Sequence, residues 1–360
     1  MLLECGAPLS PKHQSIIKTM KTIILLLSGF ALLSLATDAW AQDAETELLE
    51  EVTQFAGPGV EGMGKPRGVV ISYERLPNFD IESESDDQRL GNGQGRIRRH
   101  NKFAAQIGAP LINRPQTKLL IGLSYDLEEF NFEGLSDSSY GLYRYLEDKN
   151  LHSIGLQLAY LHALNERNFY LMRVKGELNG DYTRIDKDIS NYFKGTVDLA
   201  YGWSLSPYYS IGVGVQYGWV FGRQRILPGI LYNRTFNPKW GVESIFPANT
   251  RLRYNANEKT LFYVGWKLDG SSYDIFADQT DLKQFGEIEL RRTDIKGLLR
   301  MEREIHDFLW FAVEGGFRQY YRNRVFAEPG DTDELIDNDL AGAGYIRAEI
   351  YLVPPRKWVD

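Results

Sequence analysis

Between about residues 67 and 353, apolar and polar side chains alternate with a two-residue period over stretch after stretch of the chain. In the clearest stretch Tyr170, Met172, Val174, Gly176 and Leu178 share one face, and Arg173, Lys175, Glu177 and Asn179 share the other. Successive side chains of a strand point to opposite faces, so this stretch predicts a strand with one apolar and one charged side. The next repeats it, with Phe193, Gly195, Val197, Leu199 and Tyr201 against Lys194, Thr196 and Asp198. A third sets Tyr209, Ile211, Val213, Val215, Tyr217 and Trp219 against Ser210, Gly212, Gly214 and Gln216. Near the C-terminus Ile346, Ala348, Ile350 and Leu352 oppose Tyr345, Arg347, Glu349 and Tyr351. Further strands are predicted at 69–79, 97–109, 117–130, 152–162, 260–270, 284–299 and 309–321. Shorter ones fall in 226–256, interrupted by Pro228, Pro238 and Pro247.

Many of these stretches outrun the strands of soluble sheets and approach the 9–11 residues, roughly, that cross a bilayer at a tilt. In hydrocarbon every backbone group has to be paired internally, so such strands close into a ring. The predicted fold class is therefore all-β, a closed antiparallel transmembrane β-barrel of about 12–14 strands. The count reaches 14 when 240–247 and 249–255 are separate strands. Connections alternate in length. Short ones fall at 163–168, 204–207, 237–239 and 255–258, and long polar ones at 80–96, 131–150, 271–283 and 322–339. Outer-membrane barrels have short periplasmic turns and longer external loops, which places both chain ends on the periplasmic side.

This geometry assigns Arg173, Lys175, Glu177, Lys194, Asp198, Glu289, Arg291, Arg347 and Glu349 to the lumen. Arg173, Lys175 and Glu177 are placed to pair with Lys194 and Asp198 on the neighbouring strand. Trp203, Trp240 and Trp310 fall beside short turns, and Trp219 and Trp266 towards the other strand ends, as two interfacial aromatic girdles would have them.

The N-terminus changes the picture in one respect. Lys18 and Lys21 flank Met20, Ile23 to Leu35 is almost wholly apolar, and Ala39-Trp40-Ala41 closes the run. This is the layout of a cleaved signal peptide with the mature chain starting at Gln42. The apolar run is shorter than the roughly 20 residues of a membrane-spanning helix. The expected organisation is upstream sequence and signal peptide over 1–41 with the start at Met20, a periplasmic linker over 42–66, the barrel over 67–353 and a tail over 354–360. The lone Cys5 falls in the discarded part, which leaves a mature chain with no disulfide framework and no Cys-based zinc site.

The chain carries 41 basic and 48 acidic residues, a net charge of −7, so nothing offsets a phosphate backbone and nucleic acid is not an expected partner. With 21 Tyr, 18 Phe and 34 Gly it departs from disordered chains and suits twisted β structure.

Motifs with possible chemistry are few. Gly57-Pro-Gly-Val-Glu-Gly62 fits a dinucleotide-binding pattern literally, but no strand precedes it and a Pro sits inside, so it reads as a flexible linker. His100, His152, His162 and His306 form no metal or hydrolase spacing, and no cofactor or catalytic residue is expected. Asp331, Asp333, Asp337 and Asp339 crowd one long connection as weak candidates for a divalent cation. They lack the turn glycine of a calcium loop, and solvated loop charge accounts for them better.

The stretch Ile226-Leu-Pro-Gly-Ile-Leu-Tyr232, followed by Trp240-Gly-Val-Glu-Ser-Ile-Phe-Pro247 and Leu252-Arg-Tyr254, resembles an uncharacterised family within the outer-membrane β-barrel proteins of Gram-negative bacteria. The resemblance implies residence in the outer membrane, with lipid, lipopolysaccharide and the barrel-assembly machinery as partners. One departure is the C-terminus. Such barrels usually end in an aromatic residue, whereas here Tyr351-Leu352-Val353 is followed by Pro354, Pro355 and a tail containing Trp358. The expected function is a passive pore or small-solute transporter. The alternatives are a structural or partner-binding barrel with a plugged lumen, an outer-membrane lipid-modifying enzyme and a soluble exported β-protein.

Overall fold

The computed structural model describes residues 55–136, 139–186, 189–278, 281–327, 330 and 332–355. The strands are β1 (Val69–Glu84), β2 (Gly93–Asn113), β3 (Thr117–Phe132), β4 (Leu151–Ala163), β5 (Asn168–Gly180), β6 (Phe193–Ser206), β7 (Tyr209–Val220) and β8 (Arg223–Thr235). They continue with β9 (Trp240–Phe246), β10 (Asn249–Asn257), β11 (Thr260–Phe276), β12 (Glu287–His306), β13 (Leu309–Phe326), β14 (Glu334–Leu340) and β15 (Ala343–Leu352). Each neighbouring pair in the ring is antiparallel. β14 and β15 both lie between β13 and β1 and act as the two halves of one stave, so the fifteen segments form a closed barrel of fourteen staves.

The side chains are arranged inside out. Ile154, Leu156, Leu158, Met172, Val174, Leu199, Val213, Val215, Phe262, Val264, Ile346 and Ile350 face outward and are exposed. Glu74, Glu128, Arg253, Lys296, Arg300, Glu302, Arg318 and Glu349 are buried inside. A soluble sheet would put the apolar set in a dry core. Here that set forms a belt suited only to hydrocarbon, and the charged set lines the lumen.

The sequence reading of long connections is corrected at several ends. β1 runs on to Glu84, β2 starts at Gly93, β11 runs to Phe276 and β13 to Phe326, while β12 begins at Glu287, later than the predicted 284, and gains its extra length at the short-turn end, to His306. These strands form a tall wall, up to 21 residues in β2, against only 7 in β9 on the low side. The connection 131–150 is not all loop. It carries helix α1 (Gly141–Asp148), and a short helix α2 (Ile189–Tyr192) precedes β6.

At the long-loop end the barrel is pinched. The end of β5 meets β11 in a single parallel pairing, Gly180 with Asp274, and the Asp181 amide donates to the Asp274 carbonyl at 3.2 Å. Beside it the β7–β8 turn, Phe221-Gly222, has positive φ at both residues (49° and 72°), the geometry of a tight hairpin turn. Its Phe221 carbonyl accepts a bond from Thr293 Oγ1 at 2.8 Å. A Cβ on Gly270 would lie 2.7 Å from the Phe221 carbonyl carbon, so only glycine lets the two backbones come this close.

Candidate functional site: a charged lumen covered at both ends

The lumen wall is a set of linked charge clusters. Glu128 on β3 takes His100 Nε2 at 3.0 Å, Lys102 Nζ at 3.0 Å, the Tyr273 hydroxyl at 2.8 Å and the Arg292 guanidinium. Arg318 donates to His100 Nδ1 at 2.7 Å. Since arginine cannot accept, Nδ1 is the acceptor, and Nε2 carries the proton given to Glu128. Lys296 bridges Glu74 at 2.7 Å and Asp269 at 3.3 Å. Nearer the short-turn end Arg300 joins Glu302 at 2.7 Å, Glu349 at 2.6 Å and Glu314 at 3.4 Å, while Arg67 joins Glu302 and Glu349, each at 2.5 Å. Burial of this many charges is tolerated because each carboxylate is held by more than one donor.

Two water-accessible cavities remain between these clusters. One of about 310 Å³ is lined by Glu74, Lys102, Lys175, Lys267 and Lys296 among others. The other, about 500 Å³, is lined by Arg67, Gln106, Arg173, Gln216 and Arg347 among others.

The short-turn end is crossed by residues 55–67, of which 55–66 belong to the stretch read as a linker. At its ends the strap is held by side chains, Ala56 against Ala163 and Phe169 and Arg67 through the ion pairs above, and between them the barrel grips its backbone. Ser204 Oγ donates to the Gly57 carbonyl at 2.8 Å, Asn233 to Pro58 at 2.8 Å, Thr235 to Glu61 at 2.6 Å and Asn255 to Gly62 at 3.1 Å. Arg253, fully buried, reaches the Glu61 carbonyl at 3.3 Å and Glu243 at 3.1 Å. Beside the strap lies a third cavity of about 680 Å³.

The long-loop end is covered by an apolar cluster. Helix α1 contributes Leu142, Tyr143, Tyr145 and Leu146, which share one face at i, i+3 and i+4 spacing. They pack with Leu76, Phe79, Ile81, Phe130, Phe132, Ile275, Ile288, Leu290, Val325 and Ile336 from the tall wall. Glu147 locks the helix to β3, accepting from the Phe132 amide at 2.9 Å and from Asn131 at 3.0 Å. The Tyr143 hydroxyl meets Ser83 Oγ at 2.8 Å, and burial pushes it up to about 12, so it stays protonated at neutral pH.

The residues assigned to the lumen fall in three places. Arg173 pairs with Asp198 across β5–β6, and Lys175 pairs with Glu177 on its own strand at 2.7 Å. Lys194 does not pair with Glu177. It turns to Asp274 at 2.8 Å and Glu289 at 3.2 Å. Glu289 and Arg291, joined at 2.6 Å, lie on the face of β12 opposite Leu290 and Arg292, in a side compartment beneath Trp219 and the β7–β8 tip. Arg347 and Glu349 face each other inside at 3.1 Å.

The girdle assignment is corrected for two tryptophans. Trp203, Trp240 and Trp266 face outward, beside Tyr201, Tyr254 and Phe246 respectively. Trp219 faces inward and stacks under Lys194 Nζ at 4.0 Å, because Gly218 at φ 120° breaks the alternation that Tyr217 continues. Trp310 is buried against Tyr351 and Tyr263 on the same parity as the inward Glu314, a signal present in the sequence.

Among the acidic candidates, Asp337 is held by Arg324 at 3.0 Å, and Asp339 stands opposite Glu82 on the outer side of the tall wall. Asp331 lies outside the described residues, and so do the signal peptide and Trp358. Among the described residues no group of three or more His, Cys, Asp or Glu side chains is arranged to hold a metal.

A family model described as "Domain of unknown function (DUF6268)" matches residues 119–330. That span contains the stretch through which the sequence resembles an uncharacterised barrel family. No curated protein matches the chain. Among solved structures the chain is similar to the COG4313 outer membrane channel from Pseudomonas putida F1, at 10% identity over 86% of this chain and 100% of that one, with a TM-score of 0.36. It is also similar to the KdgM porin (8% identity, 77% and 99% covered, TM-score 0.31) and to a Pseudomonas aeruginosa FadL homologue (7%, 80% and 90%, 0.35).

Proposed function

The chain belongs to this family of unknown function, and from its barrel we propose an outer-membrane pore or transporter for small polar solutes, closed at both mouths in the conformation described. The observation that carries the reading is the pair of charged, water-accessible cavities in mid-lumen, of about 310 and 500 Å³. A barrel serving only as scaffold can fill its interior with side chains, as small barrels do, and gains nothing from leaving ionised groups around open, hydrated space. The covers differ in kind. Up to Arg67 the strap is held mostly by hydrogen bonds to its backbone, with little apolar packing beyond Ala56, and the opposite end by an extensive apolar cluster, so the strap is the cheaper one to displace.

The outer-membrane placement is supported by the apolar belt, the export signal and the short-turn end, which faces the periplasm under this reading. Lipid and lipopolysaccharide then surround the belt, and the barrel-assembly machinery inserts it. An enzymatic role finds no support in the histidines. His100 is buried between Glu128 and Arg318, His152 meets Tyr125, and His162 meets Thr117.

The test is conductance in planar bilayers of the mature protein and of a variant lacking residues 42–66. Rare, brief openings are expected from the first and larger, persistent ones from the second. Silence from both over repeated insertions of heat-modifiable protein overturns the pore. A plugged structural or partner-binding barrel is the second reading, favoured by the apolar cluster under α1, and it is what such silence would leave standing.

A further inference from the structure

Among the lumen ion pairs that have a member open to water, that member is the cation in all but one, while the pairs of Arg318 with Glu74 and Asp294 and of Lys296 with Glu74 are dry on both sides. The Lys102 side chain is 19% exposed while its partner Glu128 is fully buried. For Lys267 and Glu314 the figures are 23% and 4%, and for Arg347 and Glu349 they are 22% and 2%. Lys175 with Glu177, Arg173 with Asp198 and Arg67 with Glu302 follow the same order. The exception is Asp269, which is open to the lumen while Lys296 is buried behind it. The chain as a whole is acidic at −7, so this polarity is a property of the wall and not of the composition.

An ion pair set with its cation towards the water is a dipole whose positive end faces the lumen. Low-dielectric walls focus such fields, and rings of lysine and arginine favour anions in pores. We propose that the mid-lumen cavities are a selectivity site for small solutes carrying carboxylate or phosphate groups, met by Lys102, Lys175, Lys267 and Arg347. The inference rests on the pore reading and supplies its substrate class. Cavities of this size fit a small organic anion.

The experiment uses the mature protein in planar bilayers under a KCl gradient, with fold checked by heat-modifiable migration. The reversal potential is expected to show chloride permeating about threefold or more better than potassium. The double variant Lys175→Gln, Lys267→Gln is expected to bring that ratio close to one, and added inorganic phosphate to block the wild-type current more than the variant's. Unselective or potassium-selective current overturns the anion site and leaves the pore intact. Absence of current overturns the pore, and quenching of Trp219, which lines both cavities, then decides the site by itself. The Trp219 signal is isolated by subtracting that of Trp219→Phe. Stronger quenching by iodide than by caesium upholds the positive wall. Equal quenching, stronger quenching by caesium, or none overturns it.

Discussion

Four partners converge on Glu128, and its surroundings explain both its cost and its invisibility. It serves His100, Lys102, Tyr273 and Arg292, so its loss leaves Lys102 unpaired at the lumen and strands the Arg292 guanidinium in a dry wall. Glu128→Leu is expected to cost about 3–5 kcal/mol. Glu128→Gln keeps an acceptor and should cost less. Urea unfolding in detergent reads both, and a Leu variant as stable as the parent would show that the cluster does not hold the wall. Arg173–Asp198 was legible in the sequence because both residues lie at facing positions of consecutive strands. Glu128–Arg292 was not, because 164 positions separate them and only the closed lumen brings them together. Trp219 was misplaced for a more local reason. A strand pattern carries no sign that Gly218 takes a backbone angle reserved for glycine.

Among the elements, strands were more legible than covers. Period-two alternation reports a lipid face against a water face, so it located β4 to β7 closely. It fades where β1, β2, β11 and β13 rise past the apolar belt and bury apolar residues on their inner side, and there the predicted strands stopped short. Helix α1 had a usable signal in Leu142, Tyr143, Tyr145 and Leu146, masked by the polar residues around it. The strap's middle had none, since there its grip is through carbonyls. The pinch is open to test as an element. Gly270→Val sets branched carbon against the Phe221 backbone and should push the β7–β8 tip off the wall. The barrel is expected to stay heat-modifiable, with a larger unit conductance than the parent. An unchanged conductance would mean that this contact does not narrow the lumen.

For the whole molecule, the decisive quantity is which face of the sheet meets solvent. Val174 sits mid-strand on the outer belt of β5, where Arg173 and Lys175 point inward. Val174→Arg is expected to destabilise the barrel in bilayers by about 2–4 kcal/mol. In a soluble protein the same change at an exposed site would be close to neutral. Unfolding titrations in liposomes distinguish the two. The barrel and its fourteen staves followed from the sequence because turn length alternates and β9 and β10 restore an even count. The closed mouths did not, since they depend on contacts between residues far apart along the chain.

The strap leads straight into β1, whose other edge joins β15. Its holders, Ser204, Asn233, Thr235 and Asn255, come from the opposite side of the ring and from strands made later. Insertion therefore has an order. The leading segment has to be lying inside before the first and last strands zip together, or it must thread in afterwards through a finished ring. A chain delayed at that seam would be caught with its cork out.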